Sequence, residues 1–310
     1  MLSNKPSFPP YLRLGASLYV PGHRSQLVEI ADGRKYPQLH SVIFCTEDSV
    51  QAQELPQVLD NLAAMLRQTI PHPPLLRFIR VRSPEILARC LLLPHISKIN
   101  GFVLPKVTLQ NLDSYLQQFQ RHDPFWVMPT LETQECFDSS EMRLLRQKML
   151  SPLYRERILS LRIGGNDLLN YLGMRRERSW TIYETSLGQT ISMLVNTFRP
   201  HGFNLTGPVC DFISAPQLLE RETQLDLVHG LFGKGAIHPQ QIALIEGQYR
   251  VSQEDFEAAK AILSPNRAAV FQMHGAMCEP ATHARWAEQI VARASLYGIL
   301  TEPSAASAPA

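Results

Sequence analysis

Several features that would assign a function directly are missing from this sequence of 310 residues. Its five cysteines are scattered, without a CxxC pair or a Cys/His arrangement at zinc-binding spacing, so we expect reduced thiols that pack in the interior. No GxGxxG or Walker sequence occurs, which argues against the two common nucleotide-binding loops. The sequence therefore predicts neither a zinc site nor a nucleotide-binding loop of these two types.

Long runs of one kind of residue are also missing. No apolar run approaches the ~18 residues that a membrane span needs, and the start, MLSNKPSFPPYLRLG, has proline and polar residues where a signal peptide would be apolar. The 30 basic and 28 acidic residues give a net charge of +2 without a long basic run. The charge balance thus gives no reason to expect nucleic acid or a membrane surface as a partner. We expect a cytoplasmic protein.

What the sequence does contain is a repeated alternation of short apolar segments and longer amphipathic ones. The composition, 45% hydrophobic and 19% charged, allows a large buried core. Eight segments are predicted to be strands: Ala16–Val20, Ser41–Phe44, Leu76–Val81, Gly101–Leu104, Phe125–Thr130, Leu159–Gly164, Asn204–Gly207 and Leu227–Leu231. Eight strand–helix units in about 250 residues predict an α/β fold of the TIM (β/α)8 type. An open doubly wound sheet is the competing arrangement, but it usually carries a Gly-rich loop after its first strand, where this chain has VPGHR.

The pattern changes after Gly247. A helix is expected over Glu254–Leu263, followed by an extended piece, the stretch HGAMCEP and a final helix from about 281 to 297. This indicates a small helical extension after the barrel. The expected division of the chain is an N-terminal tail (1–13), a barrel (14–265), a C-terminal lid or oligomerisation segment (266–298) and a tail (299–310).

Charged residues collect where the predicted strands end. Reacting groups of TIM barrels lie at the carboxyl ends of the strands. Eight charged residues meet that condition: Glu47, Asp48, Arg80, Arg82, Lys106, Glu132, Asp167 and Lys234. Carboxylates on neighbouring strands, Glu132 and Asp167, can hold one Mg²⁺, which takes one or two protein carboxylates and fills its other positions with water and substrate oxygens. A 2-oxo acid could chelate such an ion, which would stabilise an enolate with help from Arg80.

Each of these residues also has a plainer interpretation. Asp167 could cap the helix that begins near Leu168, and Glu47 and Asp48 could form a solvated helix start. Lys106 could be a surface lysine as well as a substrate contact. The choice depends on whether the side chains face one cavity.

Further residues near the same rim have two interpretations each. Arg80 and Arg82 alternate with apolar residues, so both should point into the barrel, and we interpret Arg82 as a structural ion-pair partner. His238 could be a general base, but the IHP sequence favours a ring that fixes its loop. Cys45 could be a nucleophile, but no base lies beside it in sequence, which favours a packing role.

A series of motifs carries a family resemblance. SLYVPGHR, VIFCTEDSV, FIRVR, GFVLPKV, MPTLET, RIGGNDL and GLFGKGAIHPQQI occur in this order. Together they resemble the citrate lyase β-subunit-like branch of the HpcH/HpaI aldolase superfamily, over about Leu14 to Leu263 with a weaker match to about Gly298. The resemblance implies a TIM barrel, a homotrimer or homohexamer, and Mg²⁺ (or Mn²⁺) as cofactor. It also implies cleavage or formation of C–C bonds in a small 2-oxo or hydroxy acid, or in its CoA thioester.

The resemblance assigns roles by position. Glu132 and Asp167 are similar to the metal ligands, and Arg80 is similar to the arginine that polarises the substrate oxygen. The remaining implied residues are the acidic pair Glu47 and Asp48, the rim residue Lys106, and Glu279 in HGAMCEP, which resembles a lid motif. In some relatives that last acid comes from the neighbouring subunit and acts on the thioester. Independently of the resemblance, Gly164 and Gly165 would let the backbone come close to a substrate.

The sequence also departs from the family pattern. Cys45 stands where an acid is usual, and Arg82 stands where asparagine is usual. VPGHR and FCTED are closer to the C–C bond lyase-like proteins associated with tellurium-resistance operons. The expected function is a Mg²⁺-dependent C–C lyase or aldolase that acts through a metal-stabilised enolate. The alternatives are an acyl-CoA thioester hydrolase and a non-catalytic scaffold or regulatory protein of a stress-resistance operon.

Overall fold

Eight parallel strands close into a barrel, as the alternation predicted. The computed structural model describes residues 8–300. Its barrel strands are β1 (Ala16–Pro21), β2 (Ser41–Cys45), β3 (Leu76–Arg80), β4 (Gly101–Leu104), β5 (Trp126–Leu131), β6 (Leu161–Ile163), β7 (Leu205–Thr206) and β8 (Lys234–Ala236). They are hydrogen-bonded in the order β7-β6-β5-β4-β3-β2-β1-β8, and a parallel bridge between Gly207 and Lys234 joins the two edges. The architecture is therefore a TIM barrel rather than an open sheet.

Helices flank the barrel and fill the C-terminal region. In chain order they are α1 (Leu27–Ala31), α2 (Leu55–Gln68), α3 (Pro84–Leu91), α4 (Leu112–Leu116), α5 (Ser139–Met149), α6 (Pro152–Arg155), α7 (Gly165–Tyr171), α8 (Leu187–Phe198), α9 (Pro216–Val228), α10 (Gln240–Gln248), α11 (Gln253–Leu263) and α12 (Pro280–Tyr297). None of the helices within residues 8–300 combines the length and apolarity that a membrane crossing requires.

The sequence pattern explains why these elements form. Every residue of β2 is buried, as expected for a strand with the barrel interior on one side and helices on the other. In α2 the buried residues are Val58, Leu59, Leu62, Met65 and Leu66. This spacing places them on one stripe of the helix, which covers the sheet.

Seven predicted strands overlap observed ones, and the eighth was predicted at the wrong place. Residues 227–231 were expected to form it, but Leu227 and Val228 are the last residues of α9, and the strand is β8. The buried face of α9 carries Glu222 and Asp226, which pair with Lys234 of β8. Charged residues inside a helix–strand interface make both α9 and β8 hard to predict, because a hydrophobicity pattern treats such residues as exposed.

The chain divides into two compact units, one of residues 13–245 and one that combines residues 246–300 with 8–12. In the second unit β9 (Val251–Ser252) pairs in parallel with β12 (Ile299–Leu300), and α11 packs against α12. Within the predicted tails, Pro10–Arg13 form a 3-10 helix and β12 ends at residue 300, while residues 1–7 and 301–310 lie outside the described part. The proposed domain boundary at residue 265 stays a prediction.

The stretch that resembles a lid motif forms a hairpin. β10 (Phe271–Met273) and β11 (Ala276–Cys278) are antiparallel, and His274 and Gly275 between them have φ values of 49° and 76°. Two consecutive residues with positive φ are typical of the tight turn that matches the twist of a hairpin.

Candidate active site

A cavity of about 230 Å³ opens at the carboxyl ends of the barrel strands. It is lined by Tyr19, Cys45, Asp48, Ser49, Arg80, Thr130, Glu132, Arg162, Ile163, Gly164, Gly165, Asn166, Asp167, Gly207, Val209 and Ile237. The cavity contains acidic and basic side chains from β2, β3, β5, β6 and the segments that follow them. Four of the charged candidate residues of the rim line this cavity, namely Asp48, Arg80, Glu132 and Asp167, whereas Glu47 and Lys106 only contact residues of its lining.

Glu132 and Asp167 both line this cavity. Glu132 follows β5 directly and is 2% exposed, whereas Asp167 lies in the first turn of α7 with 32% of its side chain exposed. The N-cap of α7 is Gly164, so Asp167 is not the capping residue. Its carboxylate is free to face the cavity.

Lys106 lies between these two carboxylates. Its backbone N–H donates to Oε1 of Glu132 at 2.9 Å, and its Nζ lies 3.8 Å from Oδ1 of Asp167. Lys106 has a φ of 51°, a left-handed conformation that is costly for a lysine and is often found at functional sites. The side chain also donates to Oε1 of Glu47 at 2.9 Å, so its amine pairs with the acids of the site although the side chain is half-exposed.

Arg80 is the central cation of the site. Its guanidinium lies 2.6 Å from Oε2 of Glu47, 2.9 Å from Oδ2 of Asp48 and 3.5 Å from Oε1 of Glu132. Burial by itself would lower the pKa of Arg80, but Tyr19 and the surrounding carboxylates raise it above its ordinary value. Arg80 is thus a permanent positive charge that is fixed in direction by three acidic partners.

The pKa values of the adjacent acids Glu47 and Asp48 are shifted in opposite directions. Burial raises the pKa of Glu47 above its ordinary value, although Arg80 and Lys106 oppose the shift. The pKa of Asp48 is lowered, because a hydrogen bond with Glu47 and the charges of Arg80 and Lys106 outweigh its own desolvation. Two carboxyl groups whose pKa values are shifted apart can take different roles in proton transfer.

Burial also raises the pKa of Glu132, to about 7, with Asp167 adding to the shift and Arg80 opposing it. A buried carboxylate of this kind is stabilised in its ionised form by a bound cation. Gly164 makes room for it, because a Cβ at position 164 would overlap the carboxylate of Glu132. The absence of a side chain at position 164 therefore leaves the space that the Glu132 carboxylate occupies.

The donor set fits a hard divalent ion such as Mg²⁺. Two carboxylates with open space beside them match an ion that keeps several water ligands. Within residues 8–300, no group of three or more His, Cys, Asp or Glu side chains is arranged to enclose a metal. The site is therefore unlike the closed sites that hold structural zinc.

Three other predicted residues have structural contacts. Arg82 donates to the carbonyl oxygens of Glu47 and Val50, which holds the loop after β2. His238 accepts the N–H of Gln240 at its Nδ1, at 3.3 Å. Cys45 is 2% exposed, and its Sγ accepts the N–H of Glu47 at 3.4 Å. Within residues 8–300 the partners of Arg82 are carbonyl oxygens and not a carboxylate, so the expected ion pair is not found there. The roles of His238 and Cys45 stay predictions.

Glu279 belongs to the C-terminal unit, where it is the N-cap residue of α12. Its carboxylate accepts a hydrogen bond from the Thr282 hydroxyl at 3.0 Å, and its backbone N–H donates to Nδ1 of His283 at 3.1 Å. These contacts hold the residue at the helix start. Its role in catalysis stays a prediction.

Sequence reasoning missed the residues that line the cavity from inside the strands. Tyr19, Thr130 and Arg162 lie within β1, β5 and β6, and their side chains line the cavity with those of the rim. Arg162 itself could have indicated these residues. It is a charged residue between two apolar ones in a short buried strand, and a buried charge needs a compensating partner.

Comparison with known proteins agrees with this architecture. The sequence profile of one protein family, described as C–C bond lyases of the TIM-barrel fold, matches residues 10–299. A comparison with curated protein sequences finds no significant match.

Solved structures share the barrel. CitE from Mycobacterium tuberculosis, in complex with magnesium, acetoacetate and coenzyme A, superimposes with a TM-score of 0.67 at 20% identity, over 91% of this chain and 99% of that one. Malate synthase from Haloferax volcanii, a lead(II) complex, gives 0.62 at 15% identity, over 75% and 72% of the two chains. RipC from Yersinia pestis gives 0.57 at 17% identity, over 77% and 95%. At these identities the similarity shows the common fold.

Proposed function

Since the chain belongs to the family of C–C bond lyases of the TIM-barrel fold, we propose that it is a Mg²⁺-dependent lyase or aldolase. Its substrate would be a small 2-oxo or hydroxy acid, free or as a CoA thioester. The observation that carries the proposal is that Glu132 and Asp167 line one cavity and both lie next to Lys106. The CitE structure solved with magnesium, acetoacetate and coenzyme A supports magnesium, a small oxo acid and coenzyme A as ligands.

Glu132 and Asp167 would hold Mg²⁺ through their carboxylate oxygens. The ion, when bound, supplies positive charge beside the oxygen on which negative charge develops as a C–C bond breaks or forms. Arg80 adds a second positive charge, which its three carboxylate partners hold in a fixed direction. Such preorganised charge lowers the barrier, because it needs no rearrangement during the reaction.

Glu47 is the proposed proton-transfer group. Its raised pKa lies closer to neutral pH than that of an ordinary glutamate, which suits a general acid or base. Lys106, which donates to Oε1 of Glu47, fixes the orientation of the carboxyl group. Lys106 also carries a positive charge 3.8 Å from the carboxylate of Asp167, which lines the cavity.

The size of the cavity limits what it can enclose. At about 230 Å³ it is smaller than the pockets that enclose drug-sized ligands, which run from about 300 to 1,000 Å³. The reacting acid fits inside, and the nucleotide part of a CoA thioester would lie outside. Assembly into a trimer or hexamer and a cytoplasmic location remain predictions.

Calorimetric titration with Mg²⁺ tests the metal assignment. Glu132→Gln and Asp167→Asn should each lower Mg²⁺ affinity by more than about tenfold, because each removes a charged ligand. Asp60→Asn, on the exposed face of α2, is the matched control and should bind Mg²⁺ as the unmodified protein does. Equal affinities in all four proteins would refute the metal site.

Product analysis tests the reaction class. Incubation with a panel of hydroxy acids and their CoA thioesters should give products with fewer carbon atoms, in a reaction that requires Mg²⁺. Products that retain the whole carbon skeleton as a free acid would identify a thioester hydrolase instead. Mg²⁺ binding without any turnover across the panel would favour the scaffold alternative.

A further inference from the structure

Arg162 of β6 lies inside the barrel, below the proposed metal site. It is 3% exposed and lines the cavity together with Arg80 and Glu132. Its Nε donates to the hydroxyl of Tyr19 at 3.1 Å, and its guanidinium lies over the Tyr19 ring, 5.4 Å from the centroid. Tyr19 thus orients the guanidinium without neutralising it.

Arg162 differs from the other buried arginines in its lack of an acidic partner. The other three pair with carboxylates: Arg77 with Asp32 at 3.0 Å, Arg80 with Glu47 at 2.6 Å and Arg176 with Glu222 at 2.7 Å. Across residues 8–300, no carboxylate pairs with Arg162, and its Nη1 has no hydrogen-bond partner. A buried cation without a counter-charge is costly, and an anion from outside the chain would remove that cost.

Two threonines extend this unpartnered polar surface. Thr130 of β5 and Thr206 of β7 are the register partners of Arg162 on the two neighbouring strands. Both are buried, and neither Oγ1 has a hydrogen-bond partner within the described chain. Three strands therefore present polar groups at one level of the barrel, and Thr130 lines the cavity beside Arg162.

The backbone of β8, which is two strands away from β6, leaves space for the guanidinium. A Cβ at Gly235 of β8 would lie 3.1 Å from Nη2 of Arg162, which is closer than side chains normally pack. Thr130 precedes Glu132 by two residues in the strand direction, which places the level of Arg162 about 7 Å below that of the metal site. This separation suits the two ends of one short ligand.

We propose that Arg162 and Thr130 form a subsite for a second carboxylate, so that the substrate is a 2-oxo dicarboxylic acid. The inference rests on the proposed function for the 2-oxo end, which would bind beside Glu132, Asp167 and Arg80. A guanidinium presents two parallel N–H groups that match the two oxygens of a carboxylate, and the threonine hydroxyl can donate a further hydrogen bond. Arg80 does not serve this purpose, because three carboxylates already surround it.

Matched pairs of acids test the subsite in the full-length protein. 2-Oxoglutarate and 2-oxopentanoate have the same chain length and differ only in a terminal carboxylate or methyl group, and oxaloacetate and 2-oxobutanoate form a shorter pair. Titration in the presence of Mg²⁺ should show at least about tenfold tighter binding of the diacid in one of the pairs. This comparison uses the unmodified protein and depends on no variant.

Substitutions then assign the preference to Arg162. Arg162→Gln should abolish the preference for the diacid and leave affinity for the monoacid within about twofold, Arg162→Lys should retain part of it, and Thr130→Val should weaken it. Arg143→Gln, at an exposed position of α5, is the control and should retain the full preference. Thermal unfolding of Arg162→Gln without ligand distinguishes a binding role of Arg162 from a structural one. Loss of an unpaired buried cation should not lower Tm, whereas loss of a packing contact should.

The outcomes separate the subsite from the proposed function. Monoacids that bind with Mg²⁺ as tightly as diacids in both pairs would overturn the subsite and leave the proposed function standing. A diacid preference that needs Arg162 but is unaffected by Mg²⁺ or by Glu132→Gln would support the subsite and contradict the metal mechanism. Equal loss of both acids in Arg162→Gln, or absence of binding by all four acids, would also overturn the subsite.

Discussion

The carboxylate of Glu132 occupies the space where a side chain at Gly164 would begin. Gly164 has a φ of −89°, so alanine is conformationally acceptable there and the conflict is purely steric. A methyl group at position 164 would meet both the Cβ and the carboxylate of Glu132, so it would displace the whole Glu132 side chain.

Gly164→Ala should therefore displace the Glu132 carboxylate and lower Mg²⁺ affinity by at least about tenfold, measured by calorimetry. Gly247→Ala is the control, since a Cβ at position 247 meets nothing within 4 Å. Because position 247 lies in α10, alanine should raise stability by about 0.5–1 kcal/mol and leave Mg²⁺ binding unchanged. Unchanged Mg²⁺ affinity in Gly164→Ala would contradict the assignment of Glu132 as a ligand.

The stability of the metal-free protein should depend on pH through Glu132. Its pKa rises from 4.5 in the unfolded chain to about 7 in the folded protein, because the carboxyl group is buried. Between these values the folded state keeps a proton that the unfolded state has released, so the free energy of unfolding falls as pH rises to about 7 and then levels. The loss from this group is at most about 3 kcal/mol.

Urea unfolding in EDTA, from about pH 5 to pH 8, measures this effect as the difference between the unmodified protein and Glu132→Gln. The glutamine cannot ionise, so the variant should gain stability relative to the unmodified protein as pH rises. A difference that stays constant with pH would show that Glu132 titrates normally.

Arg80 should contribute much more to stability than Lys106, although both pair with Glu47. Arg80→Gln leaves buried carboxylates without their cation, and should lower the free energy of unfolding by about 3–5 kcal/mol at neutral pH. The Lys106 side chain is 49% exposed, so Lys106→Gln should cost less than about 1 kcal/mol. Chemical denaturation of the two variants provides the comparison, and equal losses would contradict it.

Lys234 should be essential for folding rather than for substrate binding. Its Nζ lies 3.1 Å from Oε1 of Glu222 and 2.9 Å from Oδ2 of Asp226, and all three side chains are fully buried. Lys234→Met leaves Asp226 without its cation and Glu222 with Arg176 alone, and should cost about 3–5 kcal/mol. Lys148→Met removes the partly exposed pair with Asp113 and should cost less than about 1 kcal/mol by the same unfolding measurement.

The sequence alone determined the barrel and most of the proposed metal site. Strand and helix alternation is a local pattern, and parallel strands bring their carboxyl ends to one rim, so Arg80, Glu132 and Asp167 could be grouped before any coordinates were known. The sequence also indicated that Gly164 follows a strand and lies near the site. It did not indicate that the side chain of Glu132 fills the space beside this glycine.

Only the tertiary structure decided where buried charges find their partners. The eighth strand was misplaced because Glu222, Asp226 and Lys234 pair inside the protein, where a local pattern expects apolar residues. Arg162 was overlooked because its contact, Tyr19, is 143 residues away in the chain. Local sequence determines which elements form, but the cost of a buried charge depends on atoms that only the closed barrel brings together.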